Sequence, residues 1–388
     1  MFLSPEIQKF LTLKGLDGWL LYDFRGNNPV LTRAIGKTIW TTRRLFVLIT
    51  RTGAVKVVAH RVDSEQLSVF PGETLLYTDR HEMGAILREL LQENPKIAVE
   101  YSPECAIPVM SIIDAGMAEW LRSLGAELHS SADLVQTLTA RWDDTTLENH
   151  RRASRLVNDI KDAAFEMIRE ALSSGQIITD YDVQQFILGE FVKENLEPED
   201  APVVATNERS GNPHYMPSSD VFYTIQPNDW ILIDLWARVP GDENVFSDIT
   251  WVGYAGKEVP AKHRKVYDVV TGGRDAALTA VEQWWKAGRI IQGWEIDEVC
   301  RKHISDRGYG KYFIHRTGHS LSPGKHVHGL GVNIDNFETH DTRILIPGIG
   351  FTIEPGVYFP EFGVRSEINV YIGENGPEVT SKIQREIL

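Results

Sequence analysis

Residues 351–372 read FTIEPGVYFPEFGVRSEINVYI, two apolar runs that each carry a glutamate, Glu354 and Glu367, which hydrophobic patterning does not require. Strand alternation puts Thr352 and Glu354 on one side and Phe351 and Ile353 on the other. By the same rule Arg365, Glu367 and Asn369 oppose Ile368 and Val370. Pro355-Gly356 and the stretch from Pro360 to Gly363 supply the breaks. A buried carboxylate is costly unless it is paired or bound to a metal. Two of them this close together call for a cation or a shared proton.

Upstream, the same anomaly occurs twice more. WILIDLWA (230–237) sets Asp234 inside an apolar strand, and FSDITWVGYAG (246–256) does so with Asp248. The segments SSGQIITDYDVQQFI (173–187) and KAGRIIQGWEIDEVC (286–300) echo one another at Gly175/Gly288, Ile177/Ile290, Ile178/Ile291, Tyr181/Trp294 and Val183/Ile296. Each copy follows a long helical pattern, and each precedes one acidic pair. A pseudo-symmetric α+β domain, with carboxylates from both halves meeting at its centre, accounts for the echo and the pairs together.

The chain has 388 residues, which suggests two domains. DGWLLYD, RRLFVLIT, AVKVVAH and KIAVEY read as strands and HEMGAILRELLQEN as a helix, giving an α/β N-terminal domain over residues 1–135. Periodicity fades around SSADLVQTLTARWDDTT, and a Thr145-x-x-Glu148 capping box is expected to open a helix running to about Ser174. The second domain is placed at residues 145–388. A net charge of −14 disfavours nucleic acid or an anionic membrane as partner. Cys105 and Cys300 stand far apart, so neither a disulfide framework nor a thiolate metal site is expected. With no membrane-length apolar run and no signal-like N-terminus, a cytoplasmic location is the expectation.

Four converging carboxylates would repel strongly without cations, whereas two divalent ions bring them to neutrality. A neutral histidine from HRTGHSLSPGKHVHGLG (315–331) completes an oxygen-rich two-metal site. Such donors suit Mn2+, the expected occupant, and also Co2+, Fe2+ or Zn2+.

These residues resemble the pita-bread metallopeptidases, the family of prolidase, aminopeptidase P and methionine aminopeptidase, with creatinase as a non-peptidase relative. The resemblance rests on SGNPHY (210–215), Asp234 with SDIT, HRTGH, and TIEPGVY followed by GVRSE, and it spans nearly the whole chain, including a creatinase-like N-terminal domain. It implies that Asp234 chelates one metal, that Asp248 and Glu367 bridge both, and that His319 and Glu354 bind the other. It also implies His214 and His315 as pocket-lining catalytic residues. Tyr358 and Arg365 would orient Asp234, and Thr250, on the strand face of Asp248, would steady that ligand. Glu354 would move the proton from water to the leaving nitrogen.

The implied activity is hydrolysis of the bond before proline in small peptides, as an Xaa-Pro aminopeptidase or dipeptidase acting as a homodimer. A creatinase-like hydrolase of a non-peptide C–N bond and a catalytically inactive peptide-binding module are the alternatives. For the oxyanion donor, His326 satisfies the family's count from His319 while His328 sits in its VHG pattern. Two extra residues fit most easily at Ser322-Pro323-Gly324, which assigns the role to His328. In an extended KHVHG segment both histidines would share a face. Arg209 is the candidate cation for a substrate carboxylate, and Trp40 is the tryptophan expected at the cleft rim.

Overall fold

The computed structural model describes residues 1–388 apart from Leu3 and Thr38. The chain forms two compact units, Met1–Thr139 and Ala140–Leu388. In the first, α1 (Pro5–Lys14), β1 (Gly18–Phe24), α2 (Pro29–Ile35), β2 (Arg44–Thr50), β3 (Val55–His60), β4 (Glu73–Tyr77), α3 (Arg80–Glu93), β5 (Lys96–Val99), α4 (Ala115–Ser123), β6 (Glu127–Ser130) and α5 (Ala132–Thr139) follow in turn. The six strands form one sheet in the order β4-β3-β2-β1-β5-β6.

Strand alternation decides its layering. Leu45, Val47 and Ile49 of β2 pack with Ile7, Leu11 and Leu134 of the helices on one face. Phe46 and Leu48 pack with Met83, Leu87 and Leu121 on the other. The region where periodicity fades nevertheless contains α5, which buries Leu134 and Val135. Trp40 lies in a loop of this unit and is exposed.

The second unit opens with α6 (Asp144–Ser174). Its N-cap is Asp143, whose carboxylate accepts from Thr146 N at 2.7 Å. The expected cap at Thr145 is therefore displaced by two residues, because Asp143 also offers an oxygen at the required spacing and accepts a charge-assisted bond. Next come α7 (Asp180–Lys193), β7 (Val203–Thr206), β8 (Trp230–Ala237), β9 (Ser247–Tyr254), α8 (Ala261–Lys286), α9 (Gly293–Asp306) and β10 (Ser320–Leu321). Then β11 (Ile349–Ile353), β12 (Gly356–Tyr358), β13 (Gly363–Arg365), β14 (Ile368–Gly373) and β15 (Gly376–Val379) complete the unit. Among the described residues, no helix is long and apolar enough to cross a membrane.

The internal echo marks two helix pairs. Gly175 and Gly288 end α6 and α8 at φ +72° and +67°. Capping boxes at Thr179/Asp182 and Gln292/Glu295 then open α7 and α9. In one half, Ile231, Ile233 and Leu235 of β8 pack with Val157 and Ile187 of the helices. In the other, Ile349, Phe351 and Ile353 of β11 pack with Val270, Ala277 and Ile296.

Alternation leaves Asp234, Trp236 and Thr352 on the faces turned away from those helices. The two halves meet through Asn369 of β14, whose Oδ1 accepts from Asp248 N at 3.1 Å and from Ser247 Oγ at 3.1 Å. One local expectation is corrected. Glu354 and Glu367 sit just past β11 and just before β14, at strand ends, and the chain breaks between β13 and β14 instead of running as one strand.

Candidate metal centre

Pairing register builds the centre. Asp234 on β8 lies opposite Thr250 on β9, and Trp236 lies opposite Asp248. Glu367 N donates to Thr250 O at 3.2 Å, which brings the end of β14 against β9. From the other half, Thr352 Oγ1 accepts from His319 N at 3.0 Å and donates to Glu354 Oε1 at 3.1 Å. Gly318 makes this possible, since a Cβ there would stand 1.9 Å from the Thr352 carbonyl oxygen. Thr317 is held in turn by Asp297 of α9, which accepts from its backbone N–H and its hydroxyl at 2.9 and 2.6 Å.

The ligating atoms of Asp248, His319 and Glu367 all lie within 4.8 Å of one another, and all three residues are buried. His319 Nε2 is 3.4 Å from Asp248 Oδ2 and 3.4 Å from Glu354 Oε1. Its Nδ1 faces Ser320 O at 3.2 Å, so Nδ1 carries the proton and the Nε2 lone pair points at carboxylates. Burial, then His328 and Arg316, hold this ring well below its ordinary pKa. Glu367 Oε1 is buried without a hydrogen-bond partner.

Burial first, and then neighbouring carboxylates, push Asp248 and Glu367 well above the usual range; burial takes Glu354 to about 7. A lone pair aimed at acids, an orphaned buried oxygen and crowded carboxylates all fit divalent cations. Among the described residues this is the one such cluster of histidine and acid side chains.

Behind the acids, Arg365 donates from Nε to Thr250 Oγ1 at 3.0 Å and from Nη1 to Tyr358 OH at 2.9 Å, and it pairs with Asp234 through Nη2. Tyr358 OH then donates to His315 Nε2 at 2.9 Å, while His315 Nδ1 donates to Arg316 O at 2.7 Å. Both nitrogens of His315 are thus engaged, and burial lowers its pKa to about 3.

A cavity of about 700 Å3 opens over the cluster, with His214, His315, His326 and His328 on its walls. The His328 ring lies tilted against that of His319, with centroids 4.1 Å apart. Its Nδ1 receives an Arg316 N–H at 3.3 Å. Guanidinium only donates, so Nδ1 accepts and the proton of this neutral ring sits on Nε2. Desolvation and then Arg316 bring its pKa to about 4.

His326 instead turns to Glu199, its Nδ1 2.6 Å from Oε1. Residues 323–328 form successive bends, so the two histidines do not share the face that an extended segment would give them. Thr250 and Tyr358 stand behind the cavity wall, bonded to its acids and to Arg365. Arg209 does not line the cavity; it lies 3.2 Å over the Tyr223 ring and pairs with Glu208. Sequence reasoning misses Arg316 and Glu199, both on the cavity wall. Arg316 stands in view inside HRTGH, but its lack of an acidic partner appears only in three dimensions.

The fold and this cluster define a pita-bread hydrolase domain that follows an α/β N-terminal unit in the sequence. Residues 148–374 match Metallopeptidase family M24; the chain belongs to that family and is a metallopeptidase. It is 25% identical over 346 residues to an uncharacterized peptidase of Staphylococcus saprophyticus, covering 87% of each chain. It is 34% identical over 190 residues to the Xaa-Pro dipeptidase of Pyrococcus furiosus, covering 48% of each, so that match spans about half the relative's length. The crystal structure of a dipeptidase from Pyrococcus horikoshii superposes with a TM-score of 0.61 at 26% identity, over 100% of this chain and 99% of that one.

Proposed function

We propose that the protein cleaves the bond before proline in small peptides, using two divalent metal ions with manganese as the first candidate. The observation that carries this reading is the buried cluster of Asp248, His319 and Glu367, with the half-buried Asp234 and Glu354 on the same cavity wall and an oxygen of Glu367 that has no protein partner among the described residues. Asp234 would hold one ion, His319 and Glu354 the other, with Asp248 and Glu367 between them. When bound, the ions supply Lewis acidity that acidifies a water and polarises the scissile carbonyl.

Glu354 takes the proton of the attacking water on a carboxylate oxygen and passes it to the departing nitrogen. His328 donates Nε2–H to the developing oxyanion, a role consistent with its tautomer. His315, with both nitrogens engaged, shapes the wall and ties it to Asp234 through Tyr358 and Arg365. His214 is exposed on the wall and faces the peptide.

Proline selectivity is supported by the Xaa-Pro dipeptidase relative and by chemistry. An imino nitrogen carries no hydrogen, so a site without an acceptor for the scissile N–H loses nothing on proline. Ala-Pro and Leu-Pro, set against Ala-Ala on metal-reconstituted protein, test the reading; equal rates would make the enzyme a general peptidase. The proposal includes a cytoplasmic homodimer. Its free thiols, Cys105 and Cys300, agree with a reducing compartment. Light scattering tests the assembly, and a monomeric mass would end that part.

A further inference from the structure

His326, Val327 and His328 line the cavity at the end of a bend segment, residues 323–328, that has no ladder of its own. Among the described residues, none of its backbone groups pairs with another backbone group. Its base is closed by Gly329 N, which donates to Ser320 O at 2.9 Å. Beyond that base, side chains from the opposite half of the unit hold it. Arg238, buried just past β8, donates to Gly324 O. Glu199 accepts from Val327 N through one oxygen and from His326 Nδ1 at 2.6 Å through the other.

Backbone pairing explains how Glu199 comes to stand there. Glu197 and Arg238 exchange both backbone bonds, at 2.8 and 3.0 Å, and Val203 pairs with Asp234. Five residues, 198–202, therefore stand against three, 235–237, and this bulge puts Glu199 and Asp200 on the cavity wall. Pro198 and Pro202 have no N–H to leave unpaired, so the ladder gives up few donors in the bulge. Glu199 is thus fixed to the strand that carries Asp234, and its carboxylate grips the segment that carries His328.

We propose that Glu199 is a positioning residue: by holding the Val327 N–H it fixes the backbone beside His328 and so aims that ring at the developing oxyanion. This deepens the reading of His328 as the oxyanion donor and rests on it. The ring's other polar fastening is the Arg316 N–H on Nδ1, which sets the tautomer; the backbone needs a restraint of its own. A carboxylate on a backbone N–H supplies a strong one. Both oxygens of Glu199 are engaged by the segment, which sets it apart from a group that receives substrate. On its other side Val327 packs against the cluster of Trp142, Val245 and Leu321, the contact that would hold the segment if Glu199 did not.

The experiment measures kcat and KM on Ala-Pro, at matched metal content, for wild type, Glu199→Ala, Glu199→Gln, His328→Ala and the double variant Glu199→Ala/His328→Ala. Glu199→Ala should lower kcat about 10- to 100-fold, the scale of a displaced catalytic group, with KM little changed. Glu199→Gln should recover most of the loss, because an amide can accept from Val327 N and donate to His326 Nδ1 once that ring changes tautomer. On the His328→Ala background, Glu199→Ala should change kcat by no more than about twofold. Amide hydrogen exchange over residues 323–329 gives a readout independent of turnover: Glu199→Ala should speed it about tenfold or more, and Glu199→Gln should not.

Unchanged exchange in Glu199→Ala would overturn the proposal by showing that the packing of Val327 suffices. A raised KM with kcat intact would overturn it by placing Glu199 against the substrate, and so would a full loss on the His328→Ala background. Near-normal kcat in His328→Ala alone marks a failure of the oxyanion reading, and exchange then judges the hold of Glu199 on the segment by itself. Failure of the proline reading leaves the comparison intact, since the oxyanion forms on Ala-Ala as it does on Ala-Pro.

Discussion

The hydroxyl of Thr250 lies 2.9 Å from Glu367 Oε2, and the same oxygen lies 2.9 Å from Asp234 Oδ1 while accepting from Arg365 Nε. One hydroxyl proton cannot serve two carboxylates. Either an acid is protonated or a cation lies between the two, and Thr250 sets the spacing in both cases. Thr250→Val keeps the shape and removes the hydroxyl. It should fold normally and lose about 10- to 100-fold in metal affinity, measured by chelator competition. Wild-type affinity would reduce Thr250 to a packing residue.

Removing a ligand should have a harsher effect. Asp234→Ala and Glu367→Ala each leave the remaining acids, histidine and arginine mismatched in charge. Metal and activity should disappear together in both variants. Elemental analysis of the purified proteins decides this, and full metal content with normal turnover would end the two-metal reading.

Acidity gives a third prediction, for the metal-free protein. Burial and mutual repulsion raise Asp248 and Glu367, and burial takes Glu354 from its ordinary 4.5 to about 7. A carboxyl whose folded pKa is raised contributes fully below its unfolded value and loses that stability as pH climbs through the folded one. Neutral buried His315, His319 and His328 act in the opposite direction, stabilising the fold as pH rises toward 6.5. The carboxyl contribution is therefore read as the stability that metal-free wild type loses between pH 5 and 8 relative to metal-free Glu354→Gln. The loss is up to about 3 kcal/mol from Glu354, or several degrees of Tm. Saturating metal should remove the decline. A metal-free wild-type Tm that does not fall relative to that of Glu354→Gln over this range would contradict the assignment.

What is legible in the sequence follows from how local each signal is. An acid in a period-two apolar run is visible as an anomaly wherever it occurs, so Asp234, Asp248, Glu354 and Glu367 stand out from the residue pattern alone. The helix-pair echo is equally readable, because a left-handed glycine and a capping box are local devices. Asp143 yields to Thr145 in a reading of the sequence because two oxygen-bearing residues compete at one helix start, and packing chooses between them. Helix α5 escapes notice because its eight residues give too little periodicity. The contrast between Arg316 and Arg365 depends on which acids other segments bring near, and no window of sequence contains that information.

The divergence of His326 and His328 gives a kinetic prediction. If His328 donates to the oxyanion, His328→Ala should cost about 2.7 to 4 kcal/mol of transition-state stabilisation, seen in kcat with metal retained. His326→Ala removes only a contact with Glu199 at the wall and should cost much less. The two variants are compared at matched metal occupancy. A large loss for His326 beside near-normal turnover for His328 would reverse the roles.

The last prediction concerns how His214 is held. It lies on a loop with few regular hydrogen bonds, and its neighbour Tyr215 donates its hydroxyl to Asp180 Oδ2 at 2.5 Å. Asp180 is fully buried at the start of α7, and its other oxygen accepts from Tyr181 N and Tyr223 N, each at 2.8 Å. One carboxylate therefore fastens the helix start and both ends of residues 215–223, the stretch that follows His214. Tyr215→Phe removes one donor from a buried acid and should cost about 1 to 3 kcal/mol of stability. The freed loop should then be cut faster by protease between residues 212 and 223. Because the metal acids lie elsewhere, metal content should stay at the wild-type level while KM for Ala-Pro rises. Asp180→Asn keeps an acceptor for one partner and should fall between wild type and Tyr215→Phe in both stability and KM. Unchanged proteolysis and unchanged KM in Tyr215→Phe would show that the loop is fixed by other contacts and that the Asp180–Tyr215 bond does not position His214.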